Sequence, residues 1–425
     1  MVGLFDSERA DMHTSIRRTI EMLNEYGPRF RRWCVAWSGG KDSTAAVTLI
    51  AYLIASGKVA APAGGLEVMF ADTRLELPPL WLAAQDIRAE LEERGIPVRV
   101  VMAPMDRRFM VYILGRGVSP PTHKFRWCTK NIKVLPMKQE LERLGASPSD
   151  PVLLLTGVRL GESAARDQRI AMVCSTKGGT ECGAAQFQGI AGGDGDGPRF
   201  YEAPGTNGIA TLAPLIHWRI CHVWRWLSDW APEEEFGGWD TRQLAHVYGG
   251  RDGDEAQEVG ARTGCIGCPL AKTDIALDAL LRMDRWSYLR PLKEVRAIYW
   301  WLREPGNRVR KETASRISSG DGLATNPQRI GPTTLDARLE GLRRVLDVQQ
   351  RINTAADAAR RPRVYLIDAE EEARIRHLIA VGTWPLGWDG TEPVANRLIP
   401  GEFFVEDEDG DGNRIRRMEV QTTLF

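Results

Sequence analysis

No run of roughly 18 apolar residues occurs in this chain, so nothing in it reads as a helix crossing a bilayer. The opening stretch MVGLFDSERADMHTS also lacks the basic start and apolar middle of a secretory signal. The expectation is a soluble cytoplasmic protein with no membrane partner. Net charge is missing as well: 56 basic residues balance 56 acidic ones, so attraction to nucleic acid would have to come from a local patch. Cysteine is sparse and odd in number, seven in 425 residues. That argues against a secreted disulfide framework and, with one tight Cys-x-x-Cys pair, suits reduced thiols around a metal or cluster. No internal repeat is apparent. Hydrophobic residues make up 43%, enough for a large core in two domains or in one enlarged α/β domain with an appendage.

Residues 7–26 carry apolar positions at helical spacing and predict a surface helix. RWCVAW then reads as a strand, SGGKDS as a turn, and TAAVTLIAYLIAS as a buried helix closed at Gly57. LEVMFAD, ending at Asp72, gives a second strand, PPLWLAAQDIRAELEERG a second helix with proline in its first turn, PVRVVMAP a third strand and PVLLLTGVR a fourth. Alternation of this kind predicts a doubly wound, mostly parallel α/β sheet whose ligands bind outside the carboxyl ends of its strands. Residues 189–208 are too rich in glycine for a regular element and read as a long loop. IHWRICHVWRWLSDW reads as an amphipathic helix packed on the body rather than a base-stacking platform. From about Ile275 the pattern turns helical, which suggests one domain over 1–270 and a mainly helical region over 271–425 that contacts DNA or a partner. Between Arg282 and Arg363 basic residues outnumber acidic ones roughly two to one, on a solvated face or a phosphate-contact surface. Asp407, Asp409, Asp411 and Gly412 match the start of a calcium loop, but Met418 stands where a bidentate glutamate is required, so no calcium site is expected.

The chemistry concentrates at SGGKDS. A strand that ends in Ser-Gly-Gly and enters a helix leaves backbone N–H groups unpaired beside the positive end of the helix dipole, which makes an anion site. Lys41 adds a charge, and Ser38 and Ser43 add hydroxyls. The string G-x-x-x-x-G-K-[ST] is absent, and Asp42 follows the lysine, so this is not the usual P-loop. The reading requires the mouth of that helix to be open to a triphosphate.

The loop resembles that of the PP-loop ATP pyrophosphatase superfamily, with its adenine nucleotide alpha hydrolase-like fold. The resemblance implies that Ser38, Gly39, Gly40, Lys41, Asp42 and Ser43 bind the phosphates of ATP with Mg²⁺ sharing their charge, and that Lys41, Asp42 and Ser43 serve catalysis. It further implies that Asp72 and Thr73, in FADTRLELP, lie near the adenosine. GVRLGESAAR resembles the G-x-R-x-x-E-S-x-x-R block of the PAPS-reductase branch, which implies that Gly157, Arg159, Glu162, Ser163 and Arg166 face anionic substrate.

Cys265 and Cys268 sit two apart with glycines beside them, and Cys128 lies among Lys124, Arg126, Lys130 and Lys133, surroundings expected to favour a thiolate. A fourth ligand would be Cys182 or Cys174, with Cys182 preferred for its glycine neighbour. Cys34 and Cys221 read as apolar core residues. Four thiolates suit a [4Fe–4S] cluster or zinc about equally on ligand type. The order RWCT, GVRLGES, VWRWL and GCIGC is similar to that of the DndC and SspD group of PAPS-reductase-like proteins. This likeness covers roughly residues 30–275 and tips the choice to iron–sulfur, although the fourth cysteine departs from the DndC spacing. It implies ATP-dependent activation of a DNA phosphodiester oxygen and its replacement by sulfur in phosphorothioation defence. The partners implied are DNA, a cysteine desulfurase donating persulfide, and other subunits of a phosphorothioation complex. The E-C-G-[IL]-H segment of PAPS and APS reductases does not occur, and no cysteine follows Cys268. A tRNA thiolation enzyme, a PAPS/APS reductase-like sulfotransfer enzyme and a non-catalytic nucleotide- or DNA-binding subunit are the other readings.

Overall fold

The computed structural model of the chain describes residues 4–123, 125–160, 199–248, 265–311, 329–395, 401–408 and 414–421. Strands β1 (Arg32–Trp37), β2 (Leu66–Ala71), β3 (Val98–Val101), β4 (Val152–Thr156) and β6 (Ile209–Leu212) run parallel, and the two-residue β5 (Tyr201–Glu202) lies antiparallel beside β6. Their order is β3-β2-β1-β4-β6-β5. β1 sits in the middle, with Val35 paired to Val68 on one side and Leu155 on the other. Covered on both faces, it is apolar almost throughout: Trp33, Cys34, Val35 and Trp37 are all buried. The strand order reverses direction between β1 and β4, where open α/β sheets form their ligand crevice. The sheet is therefore the doubly wound, mostly parallel arrangement that the strand–helix alternation predicts. On the outer strand, Arg99 of β3 pairs with Glu67 of β2 at 3.5 Å and with Glu140 at 3.2 Å.

Helix α1 (Leu4–Tyr26) precedes the sheet, and α2 (Lys41–Ala55) follows β1. α2 begins because Gly40 supplies an extended N-cap and Asp42 places a negative charge in the first turn, against the helix dipole. Most of its residues are buried, since it lies between the sheet and the tryptophan-rich segment. α3 (Pro78–Glu93) starts on its two prolines, α4 (Leu135–Arg143) leads into β4, and α5 (Ile220–Arg225) runs into a π-helical turn at Trp226–Trp230. Trp218 and Trp226 are fully buried, their indole N–H groups donating to Thr19 Oγ1 (3.1 Å) and Thr48 Oγ1 (2.9 Å). The segment is a packed helix, as its periodicity predicts. Cys221 departs from expectation: it is exposed, because α5 turns His222 and Val223 inward and leaves Cys221 on the outer face.

Beyond α6 (Arg242–Val247) lie α7 (Ile275–Leu281), α8 (Lys293–Arg303), α9 (Leu335–Ala358) and α10 (Ala369–Ala380). Two small antiparallel pairs interrupt the helical pattern: β7 (Arg308–Arg310) with β8 (Ile330–Thr333), and β9 (Gly401–Glu408) with β10 (Arg414–Gln421). The two tail strands pair as a ribbon, while Asp409, Asp411 and Gly412 of the calcium-like string lie outside the described residues. One buried cluster joins Leu49, Val68 and Leu155 to Leu289, Leu302, Leu342 and Ile375, so the C-terminal helices share the core of the sheet. Much of the local basic excess is neutralised: Arg343 and Arg344 bond Glu340, Arg351 bonds Glu294 and Asp347, and Arg363 bonds Asp357. Among the described residues no helix is long and apolar enough to cross a membrane.

Candidate functional site

The turn between β1 and α2 stands at the reversal of the strand order. Gly39 takes φ +71°, and an added Cβ there would lie 3.1 Å from the Ala84 methyl, so a residue without a side chain fits both the angle and the space. Ser43 Oγ donates to the Gly40 carbonyl at 3.1 Å, accepts the Ser38 N–H at 3.2 Å and lies 3.1 Å from Ser38 Oγ. Those bonds fix the curl of the loop. Among the described residues no acceptor meets the amides of Gly39, Gly40, Asp42 or Ser43. Four amides without partners at a helix start are the donor set an anion requires.

Lys41 is buried beside this set, its ammonium 3.2 Å from Asp42 Oδ2. The other Asp42 oxygen accepts from Arg159 Nε, and Arg159 also donates through Nη1 to the Trp218 carbonyl at 3.4 Å. One carboxylate therefore bridges two cations, and the local balance stays positive. Gly157 lets β4 approach: a Cβ there would fall 2.7 Å from the Asp42 carbonyl oxygen, against the first turn of α2. Asp72 and Thr73 are buried at the end of the neighbouring β2. Asp72 Oδ1 accepts the Arg74 N–H at 2.9 Å, and Thr73 Oγ1 donates to Glu76 Oε1 at 2.5 Å. Ser38, Gly39, Gly40, Lys41, Asp42, Ser43, Gly157 and Arg159 thus gather at one crevice, with Asp72 and Thr73 at the adjacent strand end. Glu162, Ser163 and Arg166 lie outside the described residues.

Two residues at these strand ends carry no signal in the sequence. Tyr248, 207 positions away, takes the Lys41 N–H on its hydroxyl at 3.5 Å and lies under the Lys41 ammonium, 5.4 Å from ring centroid to Nζ. Its ring meets Trp224 edge-on at 5.0 Å. It covers the Lys41 amide and leaves the other four without an acceptor among the described residues. Glu76 is the second: burial pushes its carboxyl above the usual range, and it receives the Leu75 N–H as well as Thr73.

The cysteines form a second neighbourhood. Cys268 donates its N–H to the Cys265 carbonyl at 3.0 Å, and Ile266 donates to the Leu75 carbonyl at 2.7 Å, which ties the Cys-x-x-Cys turn to the end of β2. Burial pushes the Cys265 thiol up to about 12 against the opposing pull of Lys133, and nearby Glu76, Cys268 and Cys128 add to the rise. The Cys128 thiol is raised too, chiefly by burial and further by Cys268. Burial thus works against the thiolate expected at Cys128. The three thiols sense one another, yet among the described residues no three His, Cys, Asp or Glu side chains are grouped to hold a metal ion. Cys182 and Cys174 lie outside the described residues. Cys34 is a core residue, buried and pushed up to about 12.

Among solved structures the chain is similar to the phosphoadenylyl-sulfate (PAPS) reductase of Candida auris in a phosphate complex, at 13% identity and TM-score 0.33, covering 56% of this chain and 87% of that one. It is similar also to the FMN adenylyltransferase of Candida glabrata (15%, TM-score 0.31, 51% and 56%). A third is the U34-tRNA thiolase NcsA of Methanococcus maripaludis with its [4Fe-4S] cluster (14%, TM-score 0.30, 56% and 73%). No curated protein gives a significant match. Residues 32–231, which span the sheet, the SGGKDS turn and the tryptophan-rich helix, match the phosphoadenosine phosphosulfate reductase domain.

Proposed function

We infer that this chain is an ATP pyrophosphatase of sulfur-transfer chemistry, which adenylates a DNA backbone phosphate oxygen so that sulfur can replace it. The observation that carries the nucleotide half is the set of unpartnered amides at Gly39, Gly40, Asp42 and Ser43, flanked by Lys41 and Arg159. Those groups suit the β- and γ-phosphates of ATP, with Mg²⁺ sharing their charge. A substrate oxygen then attacks the α-phosphorus in line, the new P–O bond forms, and the bond to the bridging oxygen breaks with its electron pair leaving on pyrophosphate. The protein's part is to position the reactants and to stabilise charge on the leaving group. Lys41 is freed from Asp42 to follow that charge, while Arg159 keeps Asp42 in place.

The matched domain supports sulfur transfer as the class of reaction. The choice of DNA rests on the order of RWCT, GVRLGES, VWRWL and GCIGC in the sequence. In this reading Cys128, Cys265 and Cys268, with a fourth thiolate such as Cys182, would hold a [4Fe–4S] cluster, or zinc in its stead, and a cysteine desulfurase and further subunits would deliver persulfide to DNA. Pyrophosphate release from ATP tests the first half: Lys41→Ala is expected to lower it by about a hundredfold, and an equal rate removes the assignment. Mass spectrometry of DNA and tRNA nucleotides from cells with and without the gene tests the second. Phosphorothioate linkages are expected in DNA, and thiolated bases in tRNA would replace DNA as the substrate.

A further inference from the structure

The turn that follows β2 touches three parts of the molecule at once. Arg74 adopts φ +62°, a left-handed conformation uncommon for a residue with a side chain, and its N–H donates to Asp72 Oδ1. From that backbone the guanidinium reaches α10, where Nη2 lies 3.1 Å from Asp368 Oδ2 and 3.7 Å from Glu371 Oε2. Arg108 approaches the same two carboxylates, at 3.7 Å and 3.4 Å. Both acids are themselves immobilised, because they form the reciprocal cap of α10: Asp368 Oδ1 accepts the Glu371 N–H at 2.8 Å and Glu371 Oε2 accepts the Asp368 N–H at 3.2 Å. Glu371 is almost wholly buried. On its other side the turn is tied to the cysteine loop through the Leu75 carbonyl and the Ile266 N–H. A buried cap 294 residues away in sequence thus grips the residue that follows Asp72 and Thr73.

We propose that Arg74 is a positioning residue, through which Asp368 and Glu371 of the C-terminal region hold the turn at 72–76 in the shape that presents Asp72 and Thr73 to the nucleotide. The proposal rests on the nucleotide reading of those two residues and gives the C-terminal helices a share in the site. The double variant Asp368→Asn, Glu371→Gln tests it, because both substitutes can still cap α10 while the negative charge facing Arg74 is gone. Arg74→Gly is the counterpart: it accepts the positive φ and removes the guanidinium.

Calorimetry is expected to show ATP bound about tenfold more weakly by each variant, with no further loss when all three changes are combined. Hydrogen exchange of the amides at 72–76 is expected to quicken in both, at unchanged melting temperature. Unaltered affinity and exchange, or losses that multiply in the combined protein, would overturn the proposal. If the unsubstituted chain binds no ATP, the nucleotide reading fails by itself and exchange at 72–76 still decides whether the grip exists. If the double variant is unstable, Asp368→Asn alone is read in the same way.

Discussion

At the residue scale, burial decides the protonation of several groups more strongly than sequence neighbours do. His217 donates through Nε2 to the Ser15 carbonyl at 2.9 Å, and burial lowers its pKa from 6.5 to about 4. His222 is lowered too, first by burial, although Asp11 at 2.8 Å opposes the shift. Ser15, His222 and Asp11 look like a hydrolytic relay, but Nδ1 of His222 also receives the Arg219 N–H, so the ring serves as a helix cap. Between pH 6.5 and about 4 the unfolded chain binds more protons than the folded one, so stability falls as pH drops through that window. His217 alone accounts for at most about 3 kcal/mol of the fall. His217→Gln is therefore expected to flatten the urea midpoint between pH 6.5 and 4; an unchanged slope would count against this account. The SGGKDS turn could be placed from sequence because glycine, lysine and hydroxyls mark the junction of an apolar strand with a helix. Tyr248 and Glu76 could not, since a tyrosine or a glutamate gains meaning there only from contacts across the fold.

At the scale of elements, the parallel strands and their helices were legible because most of the apolar runs are flanked by glycine or proline, and the central β1 is buried on both faces. What the pattern could not show is which partner each face meets. α2 is joined to its surroundings by two indoles: Trp37 Nε1–H donates to Thr44 Oγ1 and Trp226 Nε1–H to Thr48 Oγ1, each at 2.9 Å. Thr48→Val is expected to leave the buried Trp226 N–H without an acceptor and to cost roughly 1–3 kcal/mol in chemical denaturation. A loss below about 0.5 kcal/mol would mean that the indole finds another acceptor. The outward turn of Cys221 and the ribbon at the tail were missed for related reasons. A one-residue change of phase reverses the exposure of a short helix, and alternating charges in the tail mask a strand period.

For the whole molecule, the shared core means that the helices after residue 270 and the sheet are expected to unfold together. Arg338 is the test. It is fully buried, its pKa is lowered to about 10 by that burial, and it donates to the carbonyls of Thr333 (2.8 Å), Gly115 (3.3 Å) and Thr383 (2.6 Å) while its guanidinium lies over the Trp384 ring at 4.3 Å. Arg338→Met is expected to cost about 3 kcal/mol or more, since three carbonyls lose a charged donor. Fluorescence and circular dichroism midpoints should move together. A shift confined to the helical signal would show that the C-terminal helices unfold separately. The pairing of Arg99 with Glu67 and Glu140 bears on a different property, the behaviour of the chain at high concentration. Without that charge, positions 98–101 would offer an unbroken valine-rich margin on which a second copy could lay down its own backbone. Arginine in mid-strand is expected to work against use of this flank, the edge of the sheet among the described residues, as a template for aggregation.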